Sequence, residues 1–158
     1  MQPWLDLELA EATLALEDFP SFKLTRLATA VQQRLTRLYA EHYGVSTPEW
    51  RLLAALHTFS LMSVQDLLRL TGYDKGLISR TLTALQTKRI VRLTPDPKNA
   101  KRINAAITAR GRTIYARILP EARRRQVRLL AALEPEERTA LYSALTKLQA
   151  YVADDFPE

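Results

Sequence analysis

Arg80, Ser79 and Thr83, with Gly76 one turn earlier, have the types and spacing for hydrogen-bond chemistry on an extended partner. Arginine carries a rigid planar array of five donors that can meet two acceptors at once. Serine and threonine add hydroxyls that donate or accept, and glycine permits close backbone approach. On a helix these positions share one face, while Ile78, Leu82 and Leu85 fall at i, i+4 and i+7 on the other. A helix with an apolar back and a thin polar front suits the major groove of DNA. There, an arginine bound through two bonds to guanine discriminates by about 1–3 kcal/mol. A phosphate clamp or an internal ion pair is the alternative role for Arg80.

The residues that follow supply a second kind of contact. Two alternating runs, residues 90–94 and 103–108, enclose a basic loop holding Pro95 and Pro97. Val91 and Leu93 are expected on one face, and Ile103, Ala105 and Ile107 on the inner face of the return strand. The loop from residue 95 to 101 is expected to leave the sheet as a mobile arm. Lys98, Lys101 and Arg102 would follow phosphates or the minor groove. Lys75, near the helix start, is expected on a phosphate. Ser63 is expected either to present its hydroxyl and a helix N-terminus to phosphate or to serve as a plain N-cap.

Charge is distributed in agreement. The chain has 23 Lys/Arg and 17 Asp/Glu, a net charge of +6. Residues 63–110 hold ten of the basic residues and three of the acidic ones, a net +7; the remainder holds thirteen and fourteen. The excess is thus confined to the stretch with the helix-then-hairpin pattern, as expected of a nucleic-acid surface, with a plain solvated basic face as the alternative.

Several classes of chemistry lack the residues they need. No cysteine is present, which excludes disulfides and thiolate metal sites, and two histidines make no zinc site without carboxylates. There is no phosphate-cradling glycine loop and no serine or cysteine nucleophile motif, so no catalytic residue, metal or cofactor is assigned. The longest uncharged run is 14 residues, between Arg51 and Asp66, too short to cross a bilayer. The N-terminus lacks signal-peptide organisation, so a cytoplasmic location and no membrane partner are expected.

The contact residues need a frame. Residues 1–20 read as an acidic extension with a short helix. Residues 21–43 form an amphipathic helix through Leu24, Leu27, Ala28, Val31, Leu35 and Leu38, with Ser21 as N-cap and Gly44 as stop. A second helix has Thr47 as N-cap and Pro48 and Glu49 in its first turn. Ser63 and Asp66 form a capping box for a short third helix that ends at Gly72, and Asp74 caps the helix carrying Arg80. Two helices around a tight glycine turn make a helix-turn-helix, and the added hairpin makes it a winged helix. Residues 109–131 form an arginine-rich helix that Pro120 should kink or break. Residues 134–152 form a last helix, with Leu141, Leu145, Leu148 and Val152 as a coiled-coil-like seam, expected to meet a second copy of the chain or else to pack on the N-terminal helices of the same chain.

Tyr39, His42, Tyr43, Trp50, His57 and Tyr115 are expected to gather where three of these helices meet. Such rings could hold an aromatic carboxylate by stacking and one charged hydrogen bond. An ordinary aromatic core, with His57 as a satisfied core histidine, is the competing account.

Three stretches together resemble the multiple antibiotic resistance regulator (MarR) family: TPEWRLLAAL at 47–56, DKGLISRTLTALQTKRIVRL at 74–93 and DPKNAKRINAAITARG at 96–111. The resemblance covers roughly residues 21–152. It implies a mainly α fold with a small β-hairpin wing: a winged helix-turn-helix at 47–108 between dimerisation regions at 1–46 and 109–158. It also implies a homodimeric repressor on a palindromic double-stranded DNA operator, often released by small anionic aromatic effectors. Two positions depart from the family pattern. Arg89 stands where glycine is usual after the recognition helix, and Lys98 replaces the arginine of the wing's Asp-x-Arg motif. If Arg89 keeps the left-handed turn, the strain is about 1–2 kcal/mol. The reading from another class is a winged-helix protein-interaction module that does not bind specific DNA.

Overall fold

The computed structural model describes residues 4–153. The ends of both expected terminal regions, residues 1–3 and 154–158, and the side chains of Leu35 and Leu38 lie outside the described residues. The elements run α1 (Leu7–Thr13), a 3-10 turn (Leu16–Asp18), α2 (Pro20–Tyr43), α3 (Thr47–Phe59) and β1 (Leu61–Ser63). Then come α4 (Val64–Thr71), α5 (Lys75–Thr87), β2 (Val91–Asp96), β3 (Asn99–Ile107), α6 (Ala109–Leu130) and α7 (Pro135–Ala153). By packing, the chain divides into one compact unit ending at Ile118 and another beginning at Leu119.

The core of the first unit joins helix-turn-helix and wing. Leu52, Leu53 and Leu56 of α3 meet Leu67 of α4, the predicted stripe Ile78, Leu82 and Leu85 of α5, and Ile90, Val91, Ala105 and Ile107 of the wing. Burying each large aliphatic side chain contributes about 1.5–3 kcal/mol, so this cluster fixes α5 against its support.

Local caps set the helix starts. Asp74 caps α5 through Leu77 N–H at 2.8 Å, and Ser63 with Asp66 forms the expected box on α4. Gly72 ends α4 in the left-handed region, φ 67°. Two expected caps are displaced. Ser46, not Thr47, caps α3: its backbone is extended, its hydroxyl accepts from Glu49 N–H, and Glu49 accepts from Ser46 N–H at 2.7 Å. Ser21 lies inside the first turn of α2, because Pro20 already has the fixed φ of a first helical residue and Phe19 O accepts from Lys23 N–H.

The sheet is three-stranded, ordered β1-β3-β2, and the short β1 was not expected from the sequence. Leu61 pairs with Ala106 and Ser63 with Asn104, so the start of α4 is tied to the wing. The wing also corrects the expected projecting loop. Its strands extend to Asp96 and resume at Asn99, leaving Pro97 and Lys98 as the turn. Pro95 is tolerated because β2 is an edge strand. Ala105 and Ile107 are buried as expected, but Ile103, beyond the body of the core, is 38% exposed. Pro120 does not break α6, which is helical on both sides of it.

Arg89 does keep the left-handed turn, at φ 59°. Its N–H donates to Gln86 O at 2.8 Å, and Ile90 N–H donates to Leu85 O at 2.9 Å. These are the two bonds of a Schellman ending, completed by the apolar pair Leu85 and Ile90 in the core. The wing therefore leaves α5 along the path a glycine would give, with an arginine carrying the strain.

Candidate nucleic-acid interface

The exposed face of α5, the N-terminus of α4 and the wing enclose a cleft of about 420 Å³. Ser63, Lys75, Ser79, Thr83, Lys101 and Arg102, six of the nine residues expected to touch DNA, line it. Leu68, Leu82, Leu93 and Ile103 give it an apolar lining that residue types alone did not suggest. The exposure of Ile103 belongs to this lining. Gly76, Arg80 and Lys98 do not line the cleft.

Arg80 folds back along its own helix. A Cβ placed on Gly76 would lie 3.1 Å from an Arg80 guanidinium nitrogen and 3.1 Å from Asp74 Oδ1. Glycine thus makes room for the arginine head above the helix start. No ion pair joins Arg80 to a described residue, so its donors remain available. Thr83 is more restricted. Its hydroxyl donates to Ser79 O at 3.0 Å, leaving acceptor lone pairs and a methyl group for a partner.

Ser63 is held within its own capping box. Its hydroxyl donates to Asp66 Oδ2 at 2.6 Å and accepts from Asp66 N–H. The Ser63 hydroxyl holds the Asp66 carboxyl below the usual range, with the Arg69 and Arg102 charges adding to the effect. On the wing, Asp96 Oδ1 accepts from Lys98 N–H at 2.7 Å and Oδ2 accepts from Asn104 Nδ2 at 3.3 Å. The Lys98 backbone N–H lowers the Asp96 pKa, with Asn104, Asn99 and Arg102 assisting. Asp96 thus shapes the turn through backbone and amide groups. The Arg102 charge favours the ionised form of both carboxylates.

One basic residue of the module, itself exposed, reaches a buried carboxylate. Lys88, just after α5, donates to both Glu49 carboxylate oxygens at 2.6 and 2.8 Å and to Gly44 O at 2.7 Å. Glu49 is only 4% exposed. No local pattern announces a pairing between residues so far apart in the chain.

The aromatic residues separate into two groups. Trp50 stacks on Tyr115 with centroids 5.2 Å apart, His57 stacks on the same tyrosine at 4.0 Å, and the buried Tyr39 meets Trp50 at 5.4 Å. This ladder joins α2, α3 and the first part of α6. His42 and Tyr43 instead pair with each other at the end of α2. His57 is exposed, which corrects the expectation of a core histidine. Among the described residues no group of His, Asp and Glu could hold a metal ion, and no helix is long and apolar enough to cross a membrane.

A MarR family model matches residues 43–102. The HTH-type transcriptional repressor NicR of Pseudomonas putida is 26% identical over 96 residues, which span 61% of this chain and 61% of NicR. A MarR family transcriptional regulator from Silicibacter pomeroyi superposes with a TM-score of 0.73 at 26% identity, covering 89% of this chain and 94% of its own. A MarR/EmrR family transcriptional regulator from Acinetobacter sp. ADP1 gives a TM-score of 0.78 at 24% identity, covering 90% and 100%.

Proposed function

We propose that this chain, whose residues 43–102 match a MarR family model, is a homodimeric transcriptional repressor that grips a palindromic DNA operator and is released by a small aromatic acid. The cleft carries this reading. Six side chains with chemistry suited to DNA contact, from the α4 start, α5 and the wing, line a single concave surface. Its cations release counterions from phosphate, which supplies affinity without sequence preference. Arg80, Ser79 and Thr83 supply the preference through base edges, and Lys75, Lys98, Lys101 and Arg102 fix the register.

Exposed apolar side chains on the terminal helices support dimerisation. Leu141, Leu145 and Leu148 of α7 are 39–45% exposed, and no α7 residue is buried in a single chain. A second copy would cover them and set the distance between two α5 helices. The effector would be an aromatic acid, by ring stacking on the Trp50–Tyr115–His57 ladder with His57 facing its carboxylate. It acts only if it binds one spacing of the recognition helices better than the other. NicR, named a repressor, supports the sign of regulation. A regulator of this kind works in the cytoplasm, without a cofactor.

The test is selection of random-sequence DNA by the purified protein. The expected result is a palindromic consensus with half-site centres about 10 bp or a multiple apart. Its affinity should fall steeply with salt, and aromatic acids should release the protein. Failure to enrich any sequence would overturn the proposal.

A further inference from the structure

We infer that Lys88 is a positioning residue for operator recognition, acting through Glu49 and Gly44 and never touching DNA itself; the inference rests on the proposed DNA-binding function. Lys88 directly follows the recognition helix and directly precedes Arg89, whose left-handed backbone launches the wing. Its ammonium donates to three oxygens distant in the chain: Glu49 Oε1, Glu49 Oε2 and Gly44 O, all within 2.8 Å. The three donors of an ammonium are thereby matched by three acceptors.

The acceptors belong to the corner between two other helices. Gly44 ends α2 with φ 64°, and Glu49 is the buried third residue of α3, where it also holds Ser46 N–H. The next residue after Gly44, Val45, donates its N–H to Tyr39 O, and Tyr39 contacts Trp50 in the aromatic ladder. The exit of α5 is thus bonded to the end of the proposed dimerisation helix α2 and to the start of α3. A rigid-body change at that corner reaches the recognition helix and the wing base through one side chain. Within a surface otherwise suited to phosphate, the charge of Lys88 is turned away from the cleft, whose lining does not include it.

The role separates from a phosphate contact by salt and from a stability role by specificity. The test variant is the pair Glu49→Gln with Lys88→Met. It leaves no carboxylate stranded in the core, and glutamine still offers an oxygen to Ser46 N–H. Binding is measured on the selected operator and on scrambled DNA across a salt series. Operator affinity is expected to fall by about tenfold, within the range of mutations that alter coupling between sites. Scrambled-DNA affinity should stay within about twofold, and the salt slopes should be unchanged, because sequence-independent binding follows phosphate contacts alone. Lys88→Met alone should show the same loss of discrimination at a temperature where circular dichroism shows it folded. A slope reduced by about one per protomer would make Lys88 a phosphate contact. An equal loss on both DNAs would make its role stability alone, and retained operator affinity would remove any role; each result overturns the inference. If the wild-type protein selects no operator, the DNA-binding proposal fails first, and this inference fails with it.

Discussion

Gly111 faces the carbonyl oxygen of Ile90 so closely that a Cβ on residue 111 would lie 2.3 Å from it. The same junction is laced by Thr108, whose hydroxyl donates to the Arg89 and Ile90 carbonyls and accepts from Gly111 N–H. The base of the wing, the exit of the recognition helix and the start of α6 are thus one packed joint. Gly111→Ala must push backbone against backbone, and overpacking of this kind costs about 1–3 kcal/mol. Thermal unfolding should show the loss at about 2–4 °C per kcal/mol. An unchanged melting temperature would mean that the joint yields freely.

Arg89 makes the opposite prediction. Arg89→Gly removes left-handed strain of about 1–2 kcal/mol, partly offset by the entropy of glycine, and should raise stability by roughly 1 kcal/mol. Arg89→Ala loses the same side chain but keeps the Cβ, so it should bring no gain. Denaturant titration of the two variants separates backbone relief from lost charge. Equal stability of the two would refute the strain argument.

What could be read from the sequence was local. Asp74, Gly72 and the Ile78–Leu82–Leu85 stripe fix α5 within 14 residues, and caps and periodicity are short-range signals. The cap of α3 is Ser46, which forms a capping box with Glu49, and not the adjacent Thr47, because two good cap residues stand side by side. The three-residue β1 has no visible alternation, and its partners, Asn104 to Ala106, are distant in the chain. Pro95 suggested a loop, yet an edge strand needs no N–H there. In the candidate interface, residue types pointed to polar and basic side chains. The apolar lining from Leu68, Leu82, Leu93 and Ile103 required knowing how the wing lies against α5.

Arg80 and Lys101 should fail in different ways. Arg80 has no ion pair with a described residue, so Arg80→Ala strands no partner and should leave the melting temperature unchanged. Its operator affinity should fall by about 1–3 kcal/mol per half-site, with little change on scrambled DNA. Lys101→Ala should weaken both DNAs alike and reduce the salt slope by about 0.9 for each phosphate no longer neutralised. Mobility-shift titrations at several salt concentrations distinguish the two. An Arg80→Ala variant with wild-type operator affinity would remove that residue from base recognition.

Acid should weaken the interface at its edges. Asp66 and Asp96 both have lowered pKa values in the folded protein, Asp66 through Ser63 and Asp96 through Lys98 N–H. A depressed carboxylate stabilises the fold above its unfolded pKa, and that contribution disappears as pH falls through the lower native value. The loss therefore belongs below the ordinary aspartate value of about 3.9 and not near neutrality. Asp66→Asn should lower stability at pH 7 and flatten the acid limb of a stability profile. An acid limb identical to wild type would exclude Asp66 from the effect.

The seam on α7 offers the sharpest test of assembly. Leu141, Leu145 and Leu148 follow the 4, 3 spacing of a helix–helix contact, and in the isolated chain they stand 39–45% exposed. Helices bury such residues against something, and two recognition helices need a frame to reach successive half-sites. Leu145→Asp would place two charges at the proposed contact, one from each protomer, without disturbing a buried side chain of the single chain. The expected product is a folded monomer in sedimentation velocity. Its operator affinity should fall by about 100-fold or more, because the two half-sites are no longer bound as one unit. Lys147→Asp, on another face of the helix, controls for charge alone and should remain dimeric. A dimeric Leu145→Asp variant would move the interface away from α7 and leave the exposed apolar side chains of α2 to supply it.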